Sequence, residues 1–516
     1  MFIKGTIRKG EYFDSVMLMI VSRKLSALEG VIDSSIVMGT KENKAILNAA
    51  GLLVDSFEDT SDTDLLVVIK AEGQDQYDRA LEGLEGLLRE VRTVRDDTDE
   101  FRPVSLEGAL AQLPGANLSL ISIAGRYAAR EAEKALEKGL HVMIFSDNVS
   151  IEDEKRLKEL GRDKGLLVMG PDCGTAIING VPLAFANVVG PGDIGIVAAS
   201  GTGLQEVSSV IAHRGAGISQ AIGTGGRDVK AELGGIMFLE AMDALHQDPG
   251  TRVIVLVSKP PHVSVLQKIA DKVAGFSKPV VACLIGGDMG VLAKRGAHTA
   301  DTLEKCGLLA AALSRGEDPG AVLASLAERT RALEPLASRE AAGKTGRKYL
   351  RGLFSGGTLC DEAQLILKKT LGDCWSNTPL NPAFRLEDIW KSRGHTLVDL
   401  GDDDFTVGRP HPMIDFSLRN RRIVEEAQSA DVAVLLLDVV LGYGSHPEPG
   451  VELAPAIRQA LAAAPGLTVV CSITGTREDP QDREAVERQL TEAGALVQPT
   501  NAAATELAGL IVMKSN

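Results

Sequence analysis

Short, almost continuously apolar runs alternate with amphipathic segments over most of the chain. Such runs are typical of strands buried on both faces of a parallel sheet, and the segments between them predict the covering helices. The first series of predicted strands comprises 117–125, 141–147, 166–170, 194–200, 221–226, 253–258 and 280–287. The second comprises 349–357, 432–440, 467–475 and 495–500. The pattern therefore predicts an α/β protein with tandem doubly wound parallel sheets of flavodoxin or Rossmann type.

The first hundred residues follow a different pattern. Their predicted elements are a strand at 3–7, a helix at 13–28, strands at 34–38 and 64–71, and a helix with its apolar face around 81–88. This succession predicts a ferredoxin-like α+β module. An Arg-, Glu- and Ala-rich stretch further along predicts an exposed helical connector between the two α/β series. We therefore expect a module at 1–103 and two doubly wound regions at about 104–310 and 346–516, with the connector at about 315–345.

Composition and charge restrict the partners. The chain has 516 residues, a formal net charge of −15 and a pI near 5.2. This acidity argues against nucleic acid or an anionic membrane as a partner, and it requires local features to hold an anionic substrate. No window reaches about 18 consecutive apolar residues, and the six cysteines have no metal-binding spacing. We therefore expect a cytoplasmic protein with free thiols.

Small residues cluster where several predicted strands end and helices begin. Glycine has no side chain that would cover the backbone N–H groups at a helix N-terminus. This end of a helix carries about half a positive charge and binds anions. The alternative is that small residues only let helix and strand pack closely. Several such loops together favour a phosphate or carboxylate site shared between facing helix ends, and neither a P-loop nor a G-x-G-x-x-G fingerprint is present. The candidate anion-binding residues are Ser200, Gly201, Thr202, Gly203, Gly225, Gly226, Ser355, Gly356, Gly357, Thr358, Gly442 and Gly444.

Three further positions are candidates for holding substrate. Lys259 follows the strand at 253–258, where its ammonium group could neutralise a phosphate. Arg409 and His411 lie in 408-GRPHPMID-415, whose prolines fix the loop, and a basic pair there suits a carboxylate substrate. A structural turn is the equal alternative for that loop. The acidic run 402–404 could hold Mg²⁺, but adjacent carboxylates more often decorate a turn.

Long segments resemble known families. The stretches 170-GPDCG-174, 192-GDIGIVAASGTG-203 and 223-GTGGRD-228 resemble the α subunit of succinyl-CoA synthetase. The stretches 411-HPMID-415, 435-LLLDVVLGYG-444 and 474-TGTREDPQ-481 resemble the ligase domain of its β subunit. The closer resemblance, over nearly the whole chain, is to the FdrA family, through 9-KGEYFDSVMLMIVSRKLS-26, 145-FSDNVSIEDE-154, 169-MGPDCGTAIINGVPLAFANV-188 and 408-GRPHPMID-415.

The resemblance implies an acyl-CoA synthetase-like fold without an ATP-grasp domain. It implies a CoA-binding-like domain at 104–192, an α-type ligase domain at 193–314 and a β-type ligase domain at 346–516. The synthetase phosphohistidine lies in a Gly-His-Ala-Gly context, so 294-KRGAHTAD-301 implies His298 as its counterpart, against the alternative of a plain surface histidine. The module at 1–103 replaces the Gly-rich CoA loop, which puts CoA binding in doubt.

Three functions remain open. Some FdrA proteins are subunits of oxamate carbamoyltransferase in purine and allantoin breakdown, which forms oxamate and carbamoyl phosphate from oxalurate and phosphate. This resemblance implies phosphate and a small carboxylic acid as substrates and other subunits as partners. The second function is an acyl-CoA synthetase with a phosphohistidine relay, for which CoA and Mg²⁺ are candidate cofactors. The third is a scaffold or regulatory subunit without chemistry. We favour the first, because the FdrA resemblance spans the chain.

Overall fold

The computed structural model describes residues 2–9, 11, 15–26, 28–40, 43–44, 47–48, 51–96, 103–344, 346–406 and 410–515. Two compact units are formed, one by residues 1–112 with 403–410 and the other by 113–402 with 411–516. No described helix combines the length and the apolar character that crossing a bilayer requires.

The first unit is an α+β module. Its elements are β1 (Phe2–Arg8), α1 (Ser15–Ser26), β2 (Val31–Met38), a 3₁₀ turn at Asp55–Phe57, β3 (Leu65–Ala71), α2 (Gln74–Asp96) and α3 (Leu106–Gln112). The strands form an antiparallel sheet in the order β1-β3-β2. The apolar faces of α1 and α2 pack on it around Leu25, Ile69 and Leu84. The element order is that of the ferredoxin-like prediction, with three strands in the described residues.

The second unit begins with a long α/β succession. Its elements are β4 (Leu118–Ile121), α4 (Gly125–Glu137), β5 (His141–Ile144), α5 (Ile151–Lys164), β6 (Val168–Met169), β7 (Thr175–Ile178), β8 (Val181–Ala184), β9 (Pro191–Ala199), α6 (Gly201–His213), β10 (Ile218–Gly223), α7 (Ile236–Gln247), β11 (Val253–Ser258), α8 (Val263–Gly275), β12 (Val280–Leu284), α9 (Met289–Ala293), β13 (His298–Thr299), α10 (Leu303–Arg315) and α11 (Pro319–Ala341). The last of these helices lies within the predicted connector and packs against α10.

The C-terminal third continues the pattern. It comprises β14 (Tyr349–Phe354), α12 (Gly357–Leu371), a 3₁₀ turn at Pro382–Phe384, β15 (Thr396–Asp399), α13 (Asp403–Thr406), α14 (Ser417–Ala427), β16 (Val432–Val440), α15 (Pro449–Ala463), β17 (Thr468–Thr474), α16 (Arg483–Glu492), β18 (Leu496–Gln498) and α17 (Asn501–Ser515). Of these, α13 belongs to the first unit.

The predicted doubly wound sheets are confirmed. One sheet has the order β13-β12-β11-β9-β10-β7-β8, and another the order β15-β14-β16-β17-β18. Along β9, Ile196 and Ala198 belong to one hydrophobic core while Val197 and Ala199 belong to the other, so both faces of the strand are covered. The first of these cores continues into the five-stranded sheet, whose central strand β16 is buried throughout.

The sheets do not divide at the predicted domain boundary at residue 192. Strands β4, β5 and β6 form a separate parallel sheet, whereas β7 and β8 pair as an antiparallel hairpin in the seven-stranded sheet. The hairpin signal was present in the sequence, because Asn179-Gly180 between apolar residues is typical of a tight turn with two positive φ angles. The structure gives φ of 50° and 78° at these residues. The short strands β13 and β15 were also not predicted.

Buried carboxyl groups lie between the helices that cover the two large sheets. Glu362 of α12 accepts hydrogen bonds from Leu303 N at 2.6 Å and from Asn501 Nδ2 at 2.7 Å. Burial raises the pKa of Glu362 to about 8, against these hydrogen bonds. Burial likewise raises the pKa of Glu304 to about 7, although Arg329 opposes the shift. The folded protein therefore binds protons here that the unfolded chain releases.

This cluster predicts a pH-dependent stability. The stabilisation from a carboxyl group with a raised pKa is complete below its unfolded pKa of 4.5 and is lost as pH rises through about 8. Between pH 5 and pH 8.5 we expect the free energy of unfolding to fall in both proteins. The fall should be smaller in Glu362→Gln than in the wild type, by a few kcal/mol. Urea unfolding across this range measures the difference, with Glu334→Gln, an exposed carboxylate, as control. Parallel pH profiles for wild type and Glu362→Gln would contradict the expectation.

Candidate functional site

Two helix N-termini meet at the ends of β9 and β14. Ser200 follows β9 and caps α6, where its Oγ accepts a hydrogen bond from Gly203 N at 3.0 Å. The same Oγ lies 2.6 Å from Thr358 Oγ1, in the first turn of α12. Two loops that lie 158 residues apart in sequence are therefore in direct contact.

Glycine lets the two helix ends pack closely. A Cβ atom at Gly203 would lie 3.2 Å from Thr358 Cγ2, and one at Gly356 would lie 3.0 Å from Thr202 Cγ2. An added Cβ atom at Gly203 would also come within 2.4 Å of Ser200 Oγ, so close packing explains these two glycines. Gly201, in contrast, is partly exposed and stands at the first position of α6.

The N-terminus of α6 keeps free donors. The first amides of an α-helix have no partner within the helix, and they carry the positive end of its dipole. Gly201 and Thr202 provide these amides, and both residues are partly exposed. The side chain of Ser200 adds a hydroxyl at the same place. This end of the site is suited to an oxyanion.

The loop that leads into α12 is bound to a carboxylate. Asp438 of β16 is fully buried and accepts hydrogen bonds from Ser355 N and Gly356 N, each at 2.8 Å. It also accepts one from Ser355 Oγ at 3.0 Å and pairs with the buried Arg419 at 2.9 Å. The amides of Ser355 and Gly356 were candidate phosphate donors, but the structure commits them to a protein side chain. The signal in the sequence was a single acid within the apolar run 432–440.

Two more carboxyl groups and a lysine surround the first turn of α12. Lys259 Nζ pairs with Asp361 Oδ2 at 2.9 Å. Burial lowers the pKa of Lys259, but Asp361 and Asp399 outweigh burial, so that the pKa lies above its ordinary value. Burial raises the pKa of Asp399 to about 7, with Lys259 opposing the shift and Asp361 adding to it. Neither aspartate was singled out in the sequence, because their proximity depends on how β11, α12 and β15 pack.

His411 completes the same group of loops. A Cβ atom at Gly401 would lie 2.7 Å from His411 Nε2 and 2.8 Å from the carbonyl oxygen of Ser355. His411 Nδ1 accepts a hydrogen bond from Met413 N at 3.2 Å. Burial lowers the pKa of His411 to about 4, so the neutral ring carries its proton on Nε2. The residue is thus a neutral donor at pH 7, rather than the cation that the sequence suggested. Arg409, its predicted partner, lies outside the described residues.

The remaining glycine loops follow β10 and β16. Gly225 has a φ of +83°, and a Cβ atom there would lie 2.4 Å from the carbonyl oxygen of Pro171. Gly226 next to it is exposed. Gly442 and Gly444 have φ of +110° and +80° and approach the backbone at the end of β8. These positive φ angles and close approaches give Gly225, Gly442 and Gly444 structural reasons, because a side chain at any of them would be strained.

His298 is placed away from the helix ends. It lies on the edge strand β13 and pairs with Val281 of β12. Three residues further along β12, Leu284 pairs with Ser258 of β11, and Ser258 pairs with Ala199 of β9, the residue before Ser200. The offset is three strands across and three residues along the sheet, which corresponds to roughly 17 Å. The structure therefore does not bring His298 to Ser200.

Family models match three parts of the chain. A model described as AllF, heavy metal-associated domain, matches residues 1–103. A succinyl-CoA ligase like flavodoxin domain matches 191–317, and a CoA-ligase matches 353–511. YahF of Escherichia coli (strain K12) is 42% identical over 502 residues, which cover 96% of each protein. The chain belongs to the FdrA family.

More distant relatives of this FdrA chain are ligase subunits. The malate–CoA ligase subunit alpha of Methylorubrum extorquens is 27% identical over 33% of the chain and 60% of its own length. The succinate–CoA ligase (ADP-forming) subunit alpha 2 of Archaeoglobus fulgidus is 26% identical over 41% of the chain and 77% of its own length. A solved acetyl-coenzyme A synthetase of Candidatus Korarchaeum cryptofilum covers 77% of the chain and 82% of its own, with a TM-score of 0.32 and 15% identity. The FdrA chain has an acyl-CoA synthetase-like scaffold.

Two groups that these names imply do not fit the residues present. All histidines and cysteines of the chain lie beyond residue 103, so the module that matches the heavy metal-associated domain lacks the thiolate and imidazole ligands that soft metals prefer. Within the described ranges no cluster of three His, Cys, Asp or Glu side chains could hold a metal ion. For CoA, the three-stranded sheet begins at β4, and no described strand with a glycine-rich loop precedes it in that sheet.

Proposed function

We propose that this FdrA chain is a subunit of a carbamoyltransferase in purine and allantoin catabolism. The enzyme would move a carbamoyl group between oxalurate and phosphate, giving oxamate and carbamoyl phosphate. The observation that carries the proposal is the 2.6 Å contact between Ser200 and Thr358, because it brings the free amides of α6 beside the carboxyl groups at α12. Phosphate would bind at the amides of α6, and the carbamoyl group would lie beside the carboxyl groups at α12.

The proposed reaction needs no group beyond the two substrates. One phosphate oxygen attacks the carbamoyl carbon of oxalurate, the carbon–nitrogen bond to oxamate breaks, and the proton of hydrogen phosphate passes to the leaving nitrogen. The amides of Gly201 and Thr202 hold the phosphate and orient its oxygen. The Nε2–H of His411 is a neutral donor on the same group of loops, suited to the oxyanion on the carbamoyl carbon. Lys259 offers the positive charge for the substrate carboxylate.

A CoA ligase with a phosphohistidine relay is the alternative that the ligase-domain matches favour. A relay through His298 needs the imidazole to reach the phosphate, and the strand register places it about 17 Å from Ser200. A scaffold without chemistry is the third function. It gives no reason for unoccupied helix amides beside a lysine, a neutral histidine and an unpaired carboxylate.

A turnover assay tests the proposal directly. The chain, alone and with the proteins that copurify with it, is incubated with carbamoyl phosphate and oxamate, and oxalurate and phosphate are measured. We expect phosphate release to depend on oxamate and to be indifferent to CoA. Release that requires CoA and nucleotide, with no oxalurate formed, would replace the carbamoyltransferase by the ligase.

His298→Ala separates the two chemistries. Because His298 lies on an edge strand away from the helix ends, we expect the variant to keep the oxamate-dependent rate within about twofold of the wild type. Thermal unfolding of both proteins checks that the substitution leaves the fold intact. A collapse of the rate in a normally folded variant would identify His298 as a phosphoryl carrier.

A further inference from the structure

Asp399 presents an unpaired carboxylate oxygen beside the junction of the two helix ends. The residue ends β15 and is 5% exposed. Its Oδ1 accepts a hydrogen bond from Gly401 N at 2.9 Å. Its Oδ2 faces Gly357, where a Cβ atom would come within 2.4 Å of it. Among the residues that the structure describes, no donor is hydrogen-bonded to this Oδ2.

The position of Oδ2 relates it to the anion end of the site. Gly357 is partly exposed and precedes Thr358, whose hydroxyl contacts Ser200. Thr202 packs over Gly356, the residue on the other side of Gly357. Lys259 Nζ would lie 3.5 Å from a Cβ atom at Gly357, but its short contact is with Asp361. The acceptor oxygen therefore faces a residue whose two chain neighbours, Gly356 and Thr358, contact Thr202 and Ser200 at the start of α6.

A carboxylate in this place suits only part of the proposed substrate. Phosphate and carbonyl oxygens are acceptors, and a carboxylate oxygen repels them. An amino group carries two N–H donors, and a hydrogen bond to a charged acceptor is among the stronger ones in proteins. Acyl phosphates have a carbon chain where carbamoyl phosphate has its amino group. A buried acceptor left facing that carbon would remain unpaired, which penalises the wrong substrate.

We infer that Asp399 Oδ2 accepts a hydrogen bond from the amino group of the carbamoyl substrate and thereby selects carbamoyl over acyl phosphates. This inference rests on the proposed function and adds the residue that determines substrate class. Burial raises the pKa of Asp399 to about 7, with Lys259 opposing the shift and Asp361 and Asp402 adding to it. The ionised form is the better acceptor, so the selection strengthens as pH rises from 6 to 8.

Two stable phosphonates test the inference by calorimetry on the full chain. Phosphonoacetamide keeps the amide NH₂ of carbamoyl phosphate, and acetonylphosphonate has a methyl group in its place. We expect the wild type to bind phosphonoacetamide at least about tenfold more tightly. In Asp399→Asn the remaining oxygen stays with Gly401 N and the new NH₂ faces the ligand. The preference should then fall to about one, while inorganic phosphate binds at least as well as before.

Asp402→Asn is the matched control, since it removes one negative charge from the same loop and leaves Asp399 Oδ2 in place. It should keep the preference for phosphonoacetamide. Equal affinities of the wild type for the two phosphonates, or an unchanged preference in Asp399→Asn, would overturn the inference and leave the phosphate site standing. Failure of the wild type to bind phosphate and both phosphonates would instead remove the proposed function.

Discussion

Ser200→Asp is expected to abolish phosphate binding while the protein remains folded. Aspartate is as good an N-cap as serine, so it can still accept from Gly203 N and from the hydroxyl of Thr358. Its charge would stand where the phosphate binds, and two unit charges at 4 Å repel by about 4 kcal/mol near a protein surface. We expect the affinity for inorganic phosphate, measured by calorimetry, to fall at least about a hundredfold.

Ser150→Asp provides the matched control. Ser150 caps α5 and accepts a hydrogen bond from Asp153 N at 3.1 Å. The substitution is chemically identical, but the hydrogen bonds of the Ser150 side chain to the described residues are all to Asp153 of its own helix. Phosphate affinity should stay at the wild-type value in this variant. If Ser200→Asp also binds phosphate normally, the anion is not held at α6.

The fold could be predicted from the sequence where burial imposes a simple pattern. The strands at 253–258 and 432–440 are apolar except for Ser258 and Asp438, and their predicted bounds are those of β11 and β16. The hairpin of β7 and β8 was missed because its strands are short and its turn signal was not used. The strand at 396–399 was missed because four residues give no periodicity to detect.

The site could be predicted only in part. Glycine-rich loops after strands indicated that helix ends would meet, and Ser200 and Thr358 do. The sequence could not show which amides were already occupied, because the occupant of Ser355 and Gly356 is Asp438, 82 or more residues away on another strand. It also could not show that burial would leave His411 neutral. Such properties depend on side chains that only the packed tertiary structure brings together.

The two helix ends therefore have different roles although their sequences are alike. The motif 200-SGTG keeps the amides of Gly201 and Thr202 free, whereas 355-SGGT donates the amides of Ser355 and Gly356, which precede the first helical residue of α12, to a buried carboxylate. A second phosphate-sized anion at the first turn of α12 would meet Asp399 at close range, because Asp399 Oδ2 faces Gly357. An oxyanion at α6 would accept hydrogen bonds from the free amides there, and a group with N–H donors at α12 would donate to Asp399. This asymmetry is the physical reason for preferring a carbamoyl substrate to a symmetric anion site.

Asp438→Ala is expected to cause the largest loss of stability. Asp438 accepts from Ser355 N, Ser355 Oγ and Gly356 N and neutralises Arg419, all inside the protein. Its removal leaves a buried guanidinium and two buried amides without their partner. Breaking a buried ion pair from one side costs about 3–5 kcal/mol, and the unpaired donors add to this. Urea unfolding should show a loss of about 4 kcal/mol or more, with loss of phosphate binding because the α12 loop shifts.

Arg419→Met tests which part of the network matters. In this variant Asp438 keeps its three hydrogen bonds from the 355–356 loop. The substitution also removes Nε and Nη1 of Arg419, which have no hydrogen-bond partner among the described residues. We therefore expect it to cost less than Asp438→Ala. Asp271→Ala, which breaks an exposed pair with Arg295, should cost about 1 kcal/mol or less. If Arg419→Met proves as damaging as Asp438→Ala, neutralisation of charge, rather than the hydrogen bonds to the loop, holds the start of α12 in place.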